Sequence, residues 1–256
     1  MKKYLVILMM VFLLPAAILA AEEKTKDPNQ LFYKANAYYE NRDYTKALEC
    51  YTDILDTGIE SGNLYYNIGN GFIKMGKIGY AILSYEKAKR LKPGDSDLKS
   101  NLDYARSLVE SASYQVPSKR LITRIIERPF RDISIKTTAL VVSAFYIIAV
   151  LLLIISLINK VFASRTRYIT IVLLVTFLYG LAAFSMRYYN EEILKHGIVV
   201  QKEAECKYEP IDKSTTYYTL NEGSEVLILK TKGDWRQIKR LDGKIAWVKK
   251  EAIEQI

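Results

Sequence analysis

The stretch "YYNIGNGFIKMGKIGYAILSYEKAK", residues 65–89, decides how the first half of the chain folds. The segment "LFYKANAYYENRDYTKALECYTDIL", residues 31–55, repeats its pattern of small and aromatic residues. Four pairs correspond at a constant offset of 34 positions: Ala35 with Gly69, Tyr38 with Phe72, Ala47 with Ala81, and Tyr51 with Tyr85. The sequence therefore predicts two copies of one structural unit.

These positions resemble the tetratricopeptide repeat, a helix–turn–helix unit of about 34 residues. The small residues would let paired helices approach closely, while the aromatic rings fill the space between them. Arg42-Asp43 and Gly76-Lys77 fall at the turns, and Pro93 ends the second copy. We predict an all-α array over residues 28–112, with repeats at 31–64 and 65–98.

A further helix, "DSDLKSNLDYARSLVES", follows Pro93 and carries apolar residues on one face: Leu98, Leu102, Ala105 and Leu108. A lone repeat cannot bury its apolar side, so an array needs neighbours and a cap. The segment is predicted to be that capping helix.

The first helix of each tetratricopeptide pair lines a groove, which the resemblance implies is a peptide-binding surface. The candidate groove residues are Asn36, Asn67, Asn70, Lys74 and Asn101. Asparagine amides offer a donor and an acceptor to an extended peptide backbone. Some members of the family bind the terminal carboxylate of a peptide with lysine and arginine side chains. In this sequence Phe32 and Asn101 stand at two of those positions. We therefore expect a general peptide groove and not a carboxylate-binding one. Alternatively, these asparagines are solvated or join helices locally.

The N-terminus, "MKKYLVILMMVFLLPAAILAAEE", has a basic start, an apolar stretch and small residues before an acidic segment. This order predicts a secretory signal peptide over residues 1–21, and the alternative is an uncleaved anchor. Either interpretation places the following residues outside the cytoplasm.

Two uncharged runs, residues 139–158 and 168–186, are each long enough to cross a bilayer core of about 30 Å. We predict two transmembrane helices joined by a cytoplasmic loop at 159–167, whose three cations and absence of acids fit the positive-inside rule. Within the basic juxtamembrane linker, 113–138, the first half of the stretch "RLITRIIERPFRDISI", residues 120–135, is interpreted as a short helix on the lipid headgroups; the alternative is a plain linker. Most of the +9 formal net charge flanks these runs, which excludes a nucleic-acid binder.

Residues 196–256 change to short β-rich runs separated by Gly, Asp and Asn turns. Five or six such strands predict a small all-β barrel, and the order "LNEGSEVLIL", "KGDWRQI", "DGKIAWV" resembles the bacterial SH3 domain. Trp235 and Trp247 could form an aromatic surface for a ligand, or they could simply pack the barrel.

No catalytic constellation stands out in the sequence. It contains one histidine, His196, and lacks HExxH, P-loop and GxSxG motifs. The two cysteines, Cys50 and Cys206, are far apart and lack metal-ligand spacing. We therefore expect neither an enzyme, nor a metal site, nor a cofactor.

The order of these segments resembles the Bacteroides aerotolerance (Bat) operon proteins over essentially the whole chain. The resemblance implies an inner-membrane component beside partners with von Willebrand A domains, linked to oxidative-stress tolerance. It favours a scaffold that binds proteins through its helical groove, with both soluble domains periplasmic. The alternative is an envelope protein that binds peptidoglycan through the β domain.

Overall fold

The structure is a computed structural model that describes residues 27–109, 125–158 and 160–256. The predicted signal peptide and the first half of the predicted juxtamembrane linker, 113–124, lie outside the described residues. The chain forms two compact units, one ending at Ile59 and the other beginning at Glu60.

The first unit contains one helix pair, α1 (Pro28–Glu40) and α2 (Tyr44–Asp56). Asp27 and Asp43 cap the two helices, each accepting a hydrogen bond from a backbone N–H in the first turn. The turn between them contains Arg42 at a φ of 63°. Ala35 and Ala47 are fully buried, as expected for small residues where two helices approach closely.

The second unit begins with three helices, α3 (Gly62–Lys74), α4 (Ile78–Leu91) and α5 (Ser96–Ser107). Gly76, at a φ of 71°, ends α3 in the left-handed conformation that favours glycine. Helix α5 is the predicted capping helix, and it buries Leu98, Leu102 and Ala105. Leu108 falls at the C-cap and is 45% exposed, because the helix ends before Leu108 completes the predicted apolar face.

Two long apolar helices follow, α6 (Ile135–Ile158) and α7 (Lys160–Tyr188). Both are long and apolar enough to cross a membrane. They pack against each other, with the Tyr146 and Phe177 rings 5.3 Å apart. The loop predicted at 159–167 is wrong in extent: residues 160–167 are helical, because "KVFASRTR" contains neither glycine nor proline to break the helix.

Seven strands form one antiparallel sheet in the order β3-β2-β6-β5-β4-β1-β7, one strand more than the largest number predicted. They are β1 (Lys195–Val199), β2 (Glu203–Lys207), β3 (Thr216–Asn221), β4 (Glu225–Lys232), β5 (Trp235–Arg240), β6 (Ile245–Lys249) and β7 (Ile253–Gln255). In hydrogen-bonding order the sheet is open, with β3 and β7 at its edges. Alternate residues such as Val226, Ile238 and Val248 are buried in one apolar core.

The sheet packs directly on helix α4 of the second unit. The backbone N–H of Gly79 donates a 2.6 Å hydrogen bond to Glu222 Oε1, and a Cβ at Gly79 would lie 2.5 Å from the Val199 carbonyl oxygen. Gly223 has a φ of 79°, and a Cβ at this position would lie 2.7 Å from Ile82 Cδ1. Glycines on both sides thus allow the helix and the sheet to touch.

Gly69→Ala should destabilise the second unit, because an added Cβ would lie 2.5 Å from the buried Tyr85 ring. We expect overpacking to cost about 1–3 kcal/mol, partly offset by about 1 kcal/mol of helix propensity. Gly62→Ala is the comparison variant, since its Cβ would lie 2.7 Å from Cγ of Lys92, an exposed side chain that can change its rotamer. Thermal melting of the full chain, followed by circular dichroism, should show a lower midpoint for Gly69→Ala alone. An equal or higher midpoint would contradict this packing.

Candidate peptide-binding surface

An aromatic pair with a buried hydroxyl occurs in both helix pairs. In the first unit, Phe32 and Tyr51 have ring centroids 5.9 Å apart, and the Tyr51 hydroxyl donates to Asn36 Oδ1 at 2.5 Å. In the second unit, Tyr66 and Tyr85 are also 5.9 Å apart, and the Tyr85 hydroxyl donates to Asn70 Oδ1 at 2.6 Å. The 34-residue offset in sequence is therefore an equivalence of contacts, not only of residue types.

The second unit extends this contact to the capping helix. Asn101 on α5 donates from Nδ2 to Asn70 Oδ1 at 3.0 Å and to the Tyr66 hydroxyl at 2.9 Å. Asn70 Oδ1 thus accepts two hydrogen bonds, one from α4 and one from α5. We call the group Tyr66, Asn70, Tyr85 and Asn101 the asparagine network. It holds α3, α4 and α5 together through half-buried polar contacts.

Besides the Tyr66 hydroxyl proton, the asparagine network leaves one amide nitrogen and one amide oxygen unused. Within the described part of the chain, Asn70 Nδ2 and Asn101 Oδ1 form no hydrogen bond. Both side chains are half-buried and held in one orientation by their neighbours. A donor beside an acceptor is what the amide group of an extended peptide requires.

The other predicted groove residues are placed differently. Asn36 lies in the first unit, bonded to Tyr51. Asn67 is half-buried on α3, and Lys74 is exposed at the end of the same helix. Asn70 and Asn101 are hydrogen-bonded to each other in the second unit. The peptide-binding role of the five residues stays a prediction.

Asn70→Leu should lower the stability of the second unit, because the Tyr85 hydroxyl and the Asn101 amide would both lose their acceptor. Leaving such groups unsatisfied costs about 1–3 kcal/mol. Lys74→Ala on the same helix should change stability by no more than about 0.5 kcal/mol, since its side chain is exposed. Denaturant unfolding of the purified chain compares the two. Equal effects would show that the asparagine network does not support the fold.

The two tryptophans of the sheet are buried, with 7% exposure for Trp235 and 8% for Trp247. A lysine covers each ring: Lys249 Nζ lies 4.5 Å from the Trp235 centroid, and Lys230 Nζ lies 5.3 Å from that of Trp247. These cation–π contacts occupy the faces on which a ligand ring or sugar would stack. Their packing role is evident, and the predicted ligand surface stays a prediction.

The only histidine of the sequence lies where the sheet meets the helices. His196 Nδ1 is 2.9 Å from Glu225 Oε1, and this hydrogen bond lowers the pKa of the Glu225 carboxyl. Arg106, which binds Glu86 at 2.5 Å, reaches Glu225 at 3.8 Å. Over residues 27–109, 125–158 and 160–256, no group of three or more His, Cys, Asp or Glu side chains could hold a metal ion.

Both cysteines are buried and free. Burial raises the pKa of the Cys206 thiol to about 12, so at neutral pH it is almost entirely protonated and unreactive. Sequence reasoning left the state of the cysteines open, because burial depends on contacts that only the folded sheet provides.

Cys50 and Cys206 should resist alkylation by iodoacetamide in the folded protein at pH 7.5 and react rapidly after unfolding, because neither sulfur is accessible. Mass spectrometry of the labelled chain, with and without denaturant, measures both states. Rapid labelling of folded Cys206 would place its thiol outside the sheet core.

Sequence reasoning missed a second polar cluster, around Arg187 at the end of α7. Its side chain is only 8% exposed and donates to the Phe130 and Ile133 carbonyl oxygens at 2.8 and 2.7 Å and to Thr138 Oγ1 at 3.2 Å. It also binds Glu191 at 2.9 Å. The spacing of Arg187 and Glu191 by four residues after an apolar run was the available signal.

No family model matches this chain, and no curated protein matches it. Among solved structures it is similar to NlpC1 from Trichomonas vaginalis, with 18% identity, a TM-score of 0.22, and coverage of 25% of this chain and 24% of that one. The chain thus spans about a quarter of the length of NlpC1. It is also similar to YrrB, described as a TPR protein with an unusual peptide-binding site, with 16% identity and a TM-score of 0.31. That match covers 64% of this chain and 76% of YrrB.

The tetratricopeptide-like assignment rests on the helix pairs themselves and on the repeated aromatic and asparagine contacts described above.

Proposed function

We propose that this chain is a non-enzymatic, membrane-anchored adaptor that binds an extended segment of a protein partner on its helical repeats. The binding surface in the second unit is formed by α3 and α5. The sheet is, in this proposal, an SH3-like barrel that packs on helix α4 of the second repeat.

The observation that carries the proposal is the pair of unused groups in the asparagine network. The Tyr85 and Asn101 contacts fix the Asn70 amide so that Oδ1 faces its neighbours and Nδ2 is left to donate. Asn101 Oδ1 is the acceptor beside it. Because both amides are already ordered, a peptide would bind without the entropic cost of fixing them.

The two apolar helices support membrane anchoring. The segment before α6 and the segment after α7 meet at Arg187, so both ends of the helix pair lie together. The helices α4 and α5 and the sheet meet at this same end, through Arg106 and Glu225. If α6 and α7 cross a bilayer, the second repeat and the sheet face the same compartment, which in the proposal is the periplasm.

The partner class comes from the resemblance of the whole sequence to the Bat operon proteins. We propose a BatE-like role in the bacterial cytoplasmic membrane, in which the adaptor holds membrane proteins with von Willebrand A domains in a complex linked to oxidative-stress tolerance. The burial of both cysteines favours an assembly role over direct redox chemistry.

Asn70→Asp is the decisive variant for the adaptor function. It preserves the Oδ1 acceptor for Tyr85 and Asn101 but replaces the donating Nδ2 with an acceptor oxygen, so we expect about tenfold weaker partner recovery. Asn63→Asp is the matched control: it makes the same change on the same helix, where Asn63 Oδ1 accepts a 2.9 Å hydrogen bond from Lys92 Nζ. Affinity purification from solubilised membranes, with quantitative mass spectrometry of co-purified membrane proteins, measures recovery.

Thermal melting of both variants confirms that each is folded before recovery is compared. Equal recovery with Asn70→Asp and Asn63→Asp would rule out the asparagine network as the binding site.

A further inference from the structure

A cavity of about 840 Å³ in the second unit lies where helix α4, the pair of apolar helices and the sheet meet. Helix α4 contributes Lys89 and Arg90, the segment before α6 contributes Arg128 and Arg131, and the end of α7 contributes Arg187. The sheet closes a further side with His196 and Glu225. Basic side chains from three separate elements thus converge on one open space.

Three of the four acidic residues that line this cavity are bound to basic side chains. Glu86 binds Arg106 and Lys89, Glu191 binds Arg187, and Glu225 bonds to His196. Glu127, the fourth acid, accepts a hydrogen bond from Asn190 at 3.4 Å. Glu86, Glu191 and Glu225 are thus engaged by basic groups other than Arg128 and Arg131.

The two arginines of the segment before α6 lack such compensation. The Arg128 guanidinium has no hydrogen-bond or ion-pair partner among the described residues. Arg131 reaches only the adjacent Asp132 at 3.4 Å, and both side chains of that pair are largely exposed. An exposed pair of this kind contributes little. The cavity can therefore accept an anion beside Arg128 and Arg131.

The cavity lies at the end of the two apolar helices. Arg187 holds Phe130 and Ile133 against the end of α7, and Tyr179, further along α7, donates from its hydroxyl to the Ile125 carbonyl oxygen at 3.0 Å. Ile125 lines the cavity and is 58% exposed, so an apolar side chain stands beside the arginines and next to α7. In a bilayer spanned by α6 and α7, as proposed above, this is the level of the lipid headgroups.

We propose that this cavity binds the phosphate of an anionic phospholipid headgroup, with Arg128 and Arg131 as the principal ligands and the acyl chains running past Ile125 along α7. Arginine suits this role because its planar guanidinium can donate two hydrogen bonds to one phosphate. A lipid is the occupant because the arginines, the apolar side chain and the helix end are adjacent. A soluble phosphate would use only the arginines.

The inference is tested by native mass spectrometry of the full chain in detergent, titrated with phosphatidylglycerol or with phosphatidylcholine of the same acyl chains. We expect phosphatidylglycerol to bind more tightly, and Arg128→Ala/Arg131→Ala to weaken that binding about tenfold or more. Lys136→Ala/Lys195→Ala is the matched control, since it removes two cations next to the starts of α6 and β1 that do not line the cavity. Its affinity for phosphatidylglycerol should match that of the unchanged chain.

Equal weakening by the two double variants would indicate general surface charge and would overturn the site. Displacement of the lipid by millimolar inorganic phosphate would also overturn it, because the site would then be one for a soluble anion. Alkaline carbonate extraction of cell membranes tests anchoring separately. Release of the chain by carbonate would refute the membrane part of the proposed function, whereas loss of lipid selectivity in an anchored chain would refute this inference alone.

Discussion

The insertion of a tyrosine ring between paired helices is the constraint on which the helical part of the second unit depends. Tyr85 fits only because residue 69 has no side chain. Its buried hydroxyl then needs an acceptor, which Asn70 supplies. Asn70 in turn orients Asn101 on the capping helix. A steric requirement at one glycine therefore determines the polar chemistry of the surface proposed to bind a partner.

A second constraint acts at the end of the apolar helices. A buried guanidinium is costly unless every donor direction finds an acceptor. Arg187 meets most of that condition, because it donates to two backbone carbonyl oxygens, a threonine hydroxyl and a carboxylate. Because the carbonyl groups belong to Phe130 and Ile133, satisfying Arg187 also positions the segment that carries Arg128 and Arg131. The position of the proposed lipid site thus depends on the hydrogen bonds that the buried Arg187 requires.

The features that could be predicted from the sequence are those set by local patterns. The 34-residue repeat and the two uncharged runs are patterns along the chain, so the sequence alone predicts the repeat units and the two apolar helices. The loop predicted at 159–167 is helical from residue 160, because charged residues end an uncharged run without ending a helix. The strand pattern indicates Trp235 and Trp247 as notable residues, but it does not predict that a lysine lies over each ring.

Contacts between distant segments could not be predicted in this way. Gly79 and Glu222 are 143 positions apart, and no periodicity links them. The bond between Asn70 and Asn101 likewise needs the relative placement of two helices, although both residues had been singled out as candidates. The buried state of Cys206 depends on strands that pair only after folding.

The junction between α7 and the sheet has a mechanical consequence. A five-residue π-helical turn, Tyr189–Ile193, follows α7, and β1 begins at Lys195 with only Leu194 between. The path contains no glycine or proline hinge before Gly197, which itself lies within the strand. The connection between α7 and the sheet is therefore short, so a tilt or axial rotation of α7 would act directly on β1.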